Sequence, residues 1–409
     1  MYKVFLILGL LLPVLILQSC NDSSTSPNPP QFRELTANEK NIVQSDNVFS
    51  HKIFKQVAKS ETGQNIFISP LSISMALGMT LNGANGTTYE AIKNTLEFQD
   101  LSLEEINQSY QSLIQLLSGA DPKVIFQIAN SVWYRQTFTF EQNFIERVQT
   151  YFNALVQGLD FNDPDAKNII NQWVNQKTNG RIKTIVDFVD PNDVMFLINA
   201  IYFKGIWTYQ FNKNLTKDDF FTLPDGTQKP CKMMVQNGDF QYFANSDFQA
   251  VDLPYGAGNF RMSILLPNPL FNIDSLIAQF NQQNWDMWMG SFSKSSGILK
   301  LPKFTMEYKI KLNDVLSDLG MAVAFTDQAD FAEMYPPGNL FISRVKHKTF
   351  VKVNEEGTEA AAVTSVAITL TSSGGEFAMR VDRPFIFVIH EKRSKAILFM
   401  GKIIEPQLL

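Results

Sequence analysis

The segment Val353–Pro384 reads VNEEGTEAAAVTSVAITLTSSGGEFAMRVDRP, and its composition is unusual for a connection between two strands. Between Gly357 and Gly374 it contains no proline, no glycine, no aromatic residue and almost no charge. Connections of this length are uncommon in compact domains unless they have a function. The segment is therefore a candidate functional element, and a flexible surface loop or a short alanine-rich helix are the alternatives.

Read with the two-residue period of a β-strand, the same segment has two different faces. One face is small to apolar and uncharged, and it consists of Thr358, Ala360, Ala362, Thr364, Val366, Ile368 and Leu370. The other face begins with the carboxylate of Glu359, which could point to solvent. Because the segment lacks proline, every residue can donate its backbone N–H, so the segment could join a sheet as a central strand.

Hydrophobic periodicity predicts a mixture of helices and strands in the rest of the chain. Helical spacing covers Ile42–Val57, Leu71–Leu81, Leu101–Leu117, Phe144–Tyr151 and Ala166–Asn175. Strands are predicted at Ile125–Tyr134, Val194–Phe203, Phe260–Leu266, Ile298–Phe304, Phe341–Val353, Phe385–His390 and Ala396–Ile403. Ser69 and Pro70 are predicted to cap and begin the second helix. Helices segregated from large sheets indicate an α+β fold.

The composition excludes several classes of protein. Of the 409 residues 45% are hydrophobic, which is too many for a disordered chain. The net charge of −5 argues against a general nucleic-acid binder, which needs a basic surface. Two cysteines are too few for a disulfide framework or an all-cysteine metal site. Three histidines leave little room for histidine-based catalysis.

The motifs of common enzymes are absent from the sequence. There is no G-x-S-x-G nucleophile elbow and no phosphate-binding G-x-x-x-x-G-K-[ST] loop. His390 and Glu391 begin an H-E-x-x-H zinc motif, but Ser394 stands where the second histidine is needed. The glycines around Ala257 are predicted to form a hairpin turn. We therefore expect no catalytic residues, no metal site and no cofactor, although a dispersed Ser-His-Asp triad stays open.

The N-terminus has the pattern of a targeting segment. Residues 1–19 are predicted to be a signal peptide, because the apolar run Val4–Leu17 is shorter than the roughly 20 residues that span a bilayer. The run continues into Gln-Ser-Cys, which resembles a bacterial lipobox and implies cleavage before Cys20 and a diacylglycerol on its sulfur. An ordinary secretion signal is the alternative. Residues 20–34 would be the lipidated cysteine and a solvated tether, and Cys231 would be a free thiol.

Several separate motifs resemble the serpin family. Glu355–Ala362, reading EEGTEAAA, is similar to the hinge of inhibitory serpins. Further matches follow the family order, and they are Asn65–Leu81, Asn199–Phe211, Leu301–Phe304 and Val381–Pro406. The resemblance covers residues 35–409, which we therefore expect to form one serpin domain.

The resemblance implies a serpin fold with three β-sheets, eight to nine helices and an exposed reactive-centre loop. Inhibitory serpins are suicide substrates and not enzymes. A protease cleaves the loop and forms an acyl-enzyme, and the loop then inserts into the main sheet and traps the protease. The implied partners are serine proteases, with cysteine proteases as a further option, but not nucleic acid. The protein would be a monomer that can form loop–sheet polymers. The alternative is a non-inhibitory serpin that acts as a surface binding or storage module.

The resemblance also implies site residues. The hinge would consist of Glu355, Glu356, Gly357, Thr358, Glu359, Ala360, Ala361 and Ala362. Counting from the hinge or back from Pro384 leaves four candidates for the cleaved bond, namely Leu370, Thr371, Ser372 and Ser373. None of them is basic or acidic, so the expected targets are elastase-, subtilisin- or chymotrypsin-like rather than trypsin-like.

Two further clusters follow from the family resemblance. Ser69, Ser72, Asn199 and His347 match the polar network at which the main sheet opens. Trp207, Lys303 and Glu355 match the point where the loop first inserts, and an ion pair between Lys303 and Glu355 is expected there. The helix at Leu101–Leu117 carries two acids and no base, which argues against activation by sulfated polysaccharides through that helix. The protein is expected in the bacterial cell envelope, attached only by its lipid and periplasmic or at the cell surface.

Overall fold

The computed structural model describes residues 33–358 and 377–407. These residues form nine α-helices, which are α1 (Ala37–Ser60), α2 (Pro70–Leu81), α3 (Gly86–Thr95), α4 (Leu103–Ser118), α5 (Gln142–Phe152), α6 (Ala166–Lys177), α7 (Ile273–Ala278), α8 (Gln282–Ser291) and α9 (Asn313–Leu316). None of these helices is long and apolar enough to cross a membrane.

The described strands number fifteen. They are β1 (Ile66–Ile68), β2 (Val124–Arg135), β3 (Leu155–Leu159), β4 (Met195–Ile206), β5 (Lys217–Thr222), β6 (Gln228–Ala244), β7 (Phe248–Tyr255), β8 (Phe260–Pro267), β9 (Ser293–Pro302), β10 (Phe304–Lys311), β11 (Arg344–Val353), β12 (Gly357–Thr358), β13 (Phe377–Arg380), β14 (Phe385–Glu391) and β15 (Ile397–Ile403).

Local sequence signals explain where two of the longest helices begin. Thr36 caps α1 and Ser102 caps α4, and each forms a reciprocal capping box with a glutamate three residues later. The expected cap of α2 is only partly correct. Ser69 occupies the cap position and Pro70 starts the helix, but the Ser69 hydroxyl donates to the Leu398 carbonyl at 2.6 Å instead of capping. All residues of α2 are buried, so this helix is held by packing on every side.

The first sheet has the strand order β10-β11-β12-β4-β2-β3 in the described part of the chain. At one end, β11 and β4 pair directly and in parallel, from Arg344 opposite Phe196 to Lys348 opposite Ala200. At the other end β12 lies between them. We call the boundary between β4 and β11 the seam of this sheet.

The second sheet follows the order β1-β15-β14-β8-β7-β6-β9-β13, with β5 beside β6. Strand β6 is long and pairs with three other strands along its length. Its first part pairs with β5, its middle with β9 and its last residues with β7. It therefore joins two smaller sheets into one continuous ladder. Counted with the first sheet, these two groups give the three sheets that the serpin resemblance implies.

The predicted strand Ile298–Phe304 is wrong as a single element. β9 ends at Pro302, and the next residue, Lys303, donates its N–H to the Lys232 carbonyl at 2.8 Å. Phe304 then pairs with Val353 in the other sheet. The chain crosses between sheets at Lys303, which periodicity alone could not indicate because the residues on both sides are apolar.

The other predicted helices and strands each overlap an observed element. The predicted strand at Phe341 begins three residues later, at Arg344. Helices α3, α7, α8 and α9 were not predicted, because they are short or carry few apolar residues at helical spacing. The turn around Ala257 is a hairpin between β7 and β8, as expected.

Gly401 of β15 lies opposite Phe387 of the neighbouring strand β14, against its ring. Substitution of this glycine tests how tightly the core is packed. A Cβ atom there would lie 2.2 Å from Cε1 of Phe387, in the stack that Phe387 forms with Phe67. We expect Gly401→Ala to lower the unfolding free energy by about 1–3 kcal/mol through overpacking. Urea unfolding measures this loss. Gly290→Ala is the control, since no heavy atom lies within 4 Å of its Cβ, and an equal loss in both variants would contradict the packing argument.

Candidate functional site

The third and fourth residues of the hinge, Gly357 and Thr358, already form a strand of the sheet. The chain leaves β11 at Val353, turns through Asn354 and returns as β12. Gly357 pairs with Ile206 of β4, and Thr358 pairs with both β4 and β11. Thr358 is only 2% exposed. The described chain thus places the beginning of the hinge inside the sheet, at the open end of the seam.

Gly357 is required at this position by a close backbone approach. A Cβ atom on Gly357 would lie 2.1 Å from the carbonyl oxygen of Gly205 and 2.8 Å from Cα of Ile206. Its φ of 153° is also one that residues with a side chain rarely adopt. No other residue type fits between the strands here without moving β4.

Trp207 and Tyr255 form the wall beside the inserted hinge. Their rings stack with a centroid separation of 4.3 Å. The hydroxyl groups of Tyr255 and Thr358 are 2.6 Å apart, and the Trp207 indole N–H donates to the Asn354 carbonyl at 2.9 Å. The backbone N–H of Trp207 donates to the Glu356 carbonyl at 2.9 Å. The predicted position of Trp207 beside the hinge is therefore what the structure shows.

The expected ion pair of the hinge is present. Nζ of Lys303 lies 2.9 Å from Oε2 of Glu355, and the Thr216 hydroxyl donates to Oε1 at 2.8 Å. Burial acts to raise the pKa of the Glu355 carboxyl, but the hydrogen bonds from Lys303 and Thr216 outweigh it and hold the pKa below the usual value. The backbone carbonyl of Glu355 also accepts a bond from the Phe211 N–H at 2.9 Å.

Sequence reasoning missed a second ion pair at the next residue. The Glu356 carboxylate, whose side chain is 8% exposed, binds Nζ of Lys213. The side chain of Asn354 accepts the N–H groups of Glu356 and Gly357 at 3.0 and 3.1 Å. A glutamate followed by glycine was visible in the sequence, but nothing in the region of Lys213 indicated its partner.

The four residues predicted to form the sheet-opening network are in contact. Asn199 is the centre, because its side-chain N–H donates to the Ser72 carbonyl at 2.9 Å and its Oδ1 accepts the Ser72 hydroxyl. Asn199 also donates to Oδ1 of Asn130 at 2.7 Å, and that residue was not predicted. In register, His347, Asn199 and Asn130 lie side by side on β11, β4 and β2. The network therefore spans the seam inside its directly paired part.

His347 is held in one neutral tautomer. The Ser69 backbone N–H donates to Nε2 at 3.0 Å, so this nitrogen carries no proton. Nδ1 must then hold the proton and donate to Oδ1 of Asn199 at 3.2 Å. Because the ring is fully buried, desolvation lowers the pKa of His347 to about 3.

The protonation of His347 predicts a loss of stability in acid. Its folded pKa of about 3 lies below the unfolded value of 6.5, so its contribution is fully present above pH 6.5 and is lost as the pH falls below that value. At pH 5 the loss amounts to about 2 kcal/mol. We expect the stability difference between the wild type and His347→Gln to narrow by this amount between pH 7 and pH 5, as measured by urea unfolding.

The comparison with a variant is needed because two other buried groups titrate in the same range. Burial lowers the pKa of His51 to about 3, which adds a loss of the same sign, and raises the pKa of Asp46 to about 7, which opposes it. Both effects cancel when the wild type is compared with His347→Gln. A stability difference that stays constant from pH 7 to pH 5 would contradict the neutral tautomer.

A serine, a histidine and an aspartate do meet in the structure, but not as a catalytic triad. Nε2 of His390 lies 2.9 Å from the Ser263 hydroxyl and 3.4 Å from Oδ1 of Asp252. A proton relay needs the aspartate on one ring nitrogen and the serine on the other, whereas here both share one nitrogen. Arg261 also pairs with the Asp252 carboxylate. The cluster is a buried polar contact, and it does not supply a nucleophile.

The described ranges, 33–358 and 377–407, contain no group of three or more histidine, cysteine or acidic residues able to hold a metal ion. Cys231 is buried and free, and burial raises the pKa of its thiol to about 11. The hinge residues Glu359–Ala362, the four candidates of the cleaved bond, Leu370–Ser373, and Cys20 lie outside the described residues.

Comparisons with known proteins identify the family of the chain. A family model described as Serpin (serine protease inhibitor) matches residues 44–406. Serpin B10 of Bos taurus is 33% identical over 89% of this chain and 99% of its own length. Neuroserpin of Homo sapiens is 32% identical over 88% and 90%. A serpin-like protein of Thermococcus kodakarensis is 33% identical over 90% and 87%.

Solved structures share the fold. The thermophilic serpin Tengpin in its native state has a TM-score of 0.84 and 32% identity, over 91% of this chain and 96% of that one. Human thyroxine-binding globulin in complex with thyroxine has a TM-score of 0.85 and 28% identity, over 91% and 100%. The α+β serpin fold predicted from the sequence is thus confirmed, and the chain belongs to the serpin family, whose members are in general protease inhibitors rather than enzymes.

Proposed function

We propose that the protein is an inhibitory serpin that traps serine proteases by loop cleavage, acyl-enzyme formation and loop insertion into the first sheet. The observation that carries the proposal is β12. Gly357 and Thr358 already lie between β4 and β11. Insertion of the loop can therefore continue a short strand that is already paired with both of its neighbours.

The strand pairing of the seam supplies a driving force for insertion. β4 and β11 pair in parallel from Arg344 to Lys348, and parallel pairing is slightly less stable per residue than antiparallel pairing. β12 runs antiparallel to both neighbours. Its continuation along the seam would replace one parallel ladder with two antiparallel ones. Counted from Thr358 to Thr371, the inserted strand would be about 46 Å long at roughly 3.3 Å per residue.

The composition of the loop agrees with burial. The residues that would face inward are small to apolar and uncharged from Thr358 to Leu370, so no charge has to be desolvated during insertion. A proline or a charged residue on that face would oppose insertion, and the sequence has neither. Native metastability that is released on cleavage is the physical basis of such a trap.

The candidate bonds around Leu370–Ser373 define the proposed targets. Small or medium uncharged residues suit elastase-like and subtilisin-like proteases, and a cut at Leu370 suits a chymotrypsin-like one. Trypsin-like proteases need lysine or arginine next to the bond and should be poor targets. Some cysteine proteases are a further option. No cofactor is needed for this function.

The test is a protease panel scored for complexes that survive SDS. Elastase, subtilisin and chymotrypsin are expected to form them, and trypsin is not. Mass spectrometry of the peptide released from a complex locates the bond, and a cut outside residues 368–373 would refute the proposed bond. Cleavage without complex formation, combined with a fall in thermal stability, would overturn the inhibitory function.

A non-inhibitory binding role is the second candidate, and one cleft favours it. The cleft has a volume of about 1100 Å³ and lies beside α8 on the second sheet, with Trp285, Met289 and Arg261 in its lining. Thyroxine-binding globulin shows that a chain of this fold can bind a small molecule. This role predicts that elastase, subtilisin and chymotrypsin cut the loop as an ordinary substrate and form no complex with the protein.

The proposed location rests on the N-terminal pattern alone. We place the protein in the bacterial cell envelope as a monomer, held by a lipid on Cys20 after removal of residues 1–19. Metabolic labelling with palmitate should mark the wild type and leave Cys20→Ala unlabelled. Equal labelling of both would contradict the anchor without affecting the inhibitory function.

A further inference from the structure

Two neighbouring glutamates of the hinge are held by cations from two different parts of the chain. Lys303, between β9 and β10, binds Glu355, and Lys213, in the turn after β4, binds Glu356. The side chains of both glutamates are nearly buried, at 7% and 8% exposure, whereas Lys213 is 61% exposed. Lys213 thus reaches from the surface to a carboxylate that is withdrawn from water, and the carboxylate raises the pKa of its ammonium group.

The turn that carries Lys213 is itself ordered by its neighbours. It is a 3-10 turn, Lys213–Leu215, which begins at Asn212 through a hydrogen bond from the Asn214 N–H to the Asn212 side chain at 2.9 Å. Thr216 ends the turn and donates to Glu355 at 2.8 Å. One short element therefore presents a separate side chain to each of the two glutamates, and it can act as a fixed reference for the hinge.

The register of β12 needs such a reference. The strand has only two residues, which pair with Ile206 and Gly205 of β4 and, through Thr358, with Val353 of β11. Its ladder bonds are few, so its register depends largely on the close fit of Gly357 against Gly205 and on the side chains that flank the strand. A slip by one residue exchanges the two faces of a strand. Glu359 would then move to the face that must be buried, and the uncharged set that begins at Thr358 would move to the other side.

Glu356 is the residue directly before β12, so holding its side chain sets the position of Gly357 in the sheet. Its backbone carbonyl is bound by the Trp207 N–H at 2.9 Å, but a backbone bond of this kind can also form with a neighbouring residue after a slip. The bond to the Glu356 carboxylate cannot be replaced in this way after a slip. The residue before it, Glu355, is already bound to Lys303, and the residue after it, Gly357, has no side chain. The pair between Lys213 and Glu356 therefore adds a side-chain contact specific to the correct register to the steric one that Gly357 provides.

We propose that Lys213 is a positioning residue that fixes the register in which the reactive-centre loop inserts into the sheet. The proposal rests on the proposed inhibitory function. The ion pair of Lys213 is with Glu356, fourteen or more residues before the candidate bonds, so the proposal expects the encounter with the protease and the acylation to be independent of it. What depends on it is whether insertion outruns hydrolysis of the acyl-enzyme.

The main test is the stoichiometry of inhibition, the number of inhibitor molecules used per protease blocked. Lys213→Ala is expected to raise the excess of this number over one about two- to fivefold, because that excess is the ratio of hydrolysis to insertion and an ion pair of this kind changes a rate by about that factor. The association rate, once corrected for stoichiometry, should not change. The double variant Lys213→Glu with Glu356→Lys should restore the wild-type value because it rebuilds the pair with reversed charges.

Lys232→Ala is the matched control. Lys232 also forms an ion pair, with the exposed Asp218 on the neighbouring strand, but the pair does not involve the hinge. An exposed ion pair contributes little to stability, so a merely structural role of Lys213 predicts small, equal shifts in melting temperature for both variants and no change in stoichiometry. That outcome would overturn the proposal.

Hydrogen exchange at the amides of Gly357 and Thr358 keeps the two proposals distinguishable. If the wild type forms no protease complex, the inhibitory function fails, but exchange can still report on the register. Faster exchange at these amides in Lys213→Ala than in Lys232→Ala supports the role of Lys213 in holding β12. Equal exchange in both variants contradicts it.

Discussion

Replacement of Thr358 by arginine is expected to turn the protein from an inhibitor into a substrate of the same proteases. Thr358 is 2% exposed, contacts the Tyr255 hydroxyl and is paired on both sides in the sheet. A guanidinium group there would be desolvated without a partner, which costs several kcal/mol. The loop would still be cut, but hydrolysis would outrun insertion. SDS-stable complexes should disappear, and cleavage should no longer raise the melting temperature.

Two variants control for the arginine itself. Thr62→Arg places the same side chain on an exposed turn and should inhibit as the wild type does. Thr358→Ser keeps the hydroxyl group that meets Tyr255 and should retain most of the complex. A wild-type yield of complex from Thr358→Arg would show that insertion does not start from β12.

Charge reversal at Glu355 is expected to produce polymers. Glu355→Lys removes the ion pair to Lys303 and the bond from Thr216, and it places a third cation near Lys303 and Lys213. Breaking a nearly buried pair and adding a like charge should lower the stability of the hinge by about 3 kcal/mol. The hinge would leave the sheet more often, and the open seam could then accept the loop of another molecule. Size-exclusion chromatography after gentle warming measures the monomer fraction, which should fall steeply.

The control for this prediction is Asp218→Lys. Asp218 pairs with Lys232 on the surface, where its side chain is 81% exposed, so the same change of charge should leave the monomer fraction as it is. If Glu355→Lys also remains monomeric after warming, the ion pair with Lys303 does not hold the hinge.

The success of the sequence prediction differs between the fold and the site. Long apolar runs such as Val194–Phe203 identified the buried strands, because a strand covered on both faces must be apolar throughout. The break at Lys303 was missed, since a crossing between two sheets changes the partners of a strand and not its composition. Family resemblance placed Asn199 and His347 in one network, and Asn130 was missed although it is a polar residue inside a predicted strand.

Some contacts of the hinge were likewise predicted from the sequence, and others were not. Glu355 and Lys303 were predicted as a pair from the family pattern, and the pair is present at 2.9 Å. Lys213 lies far from Glu356 in sequence, in a short turn with no periodicity, so no local signal connected the two. The hydrogen bond of Thr358 to Tyr255 likewise depends on a hairpin that folds back against β4.

The sequence by itself determined the α+β class and the uncharged face of the segment after Gly357, because composition and periodicity are properties of neighbouring residues, and its motifs carried the resemblance to the family. Only the tertiary structure decided that Gly357 and Thr358 are already a strand, that His347 is neutral and that Lys213 holds Glu356. Each of these depends on groups that are distant in the chain and are brought together in a dry interior. Desolvation in that interior sets the protonation state of His347. The close approach of the backbones sets the need for glycine at position 357, and the contacts around β12 set its register.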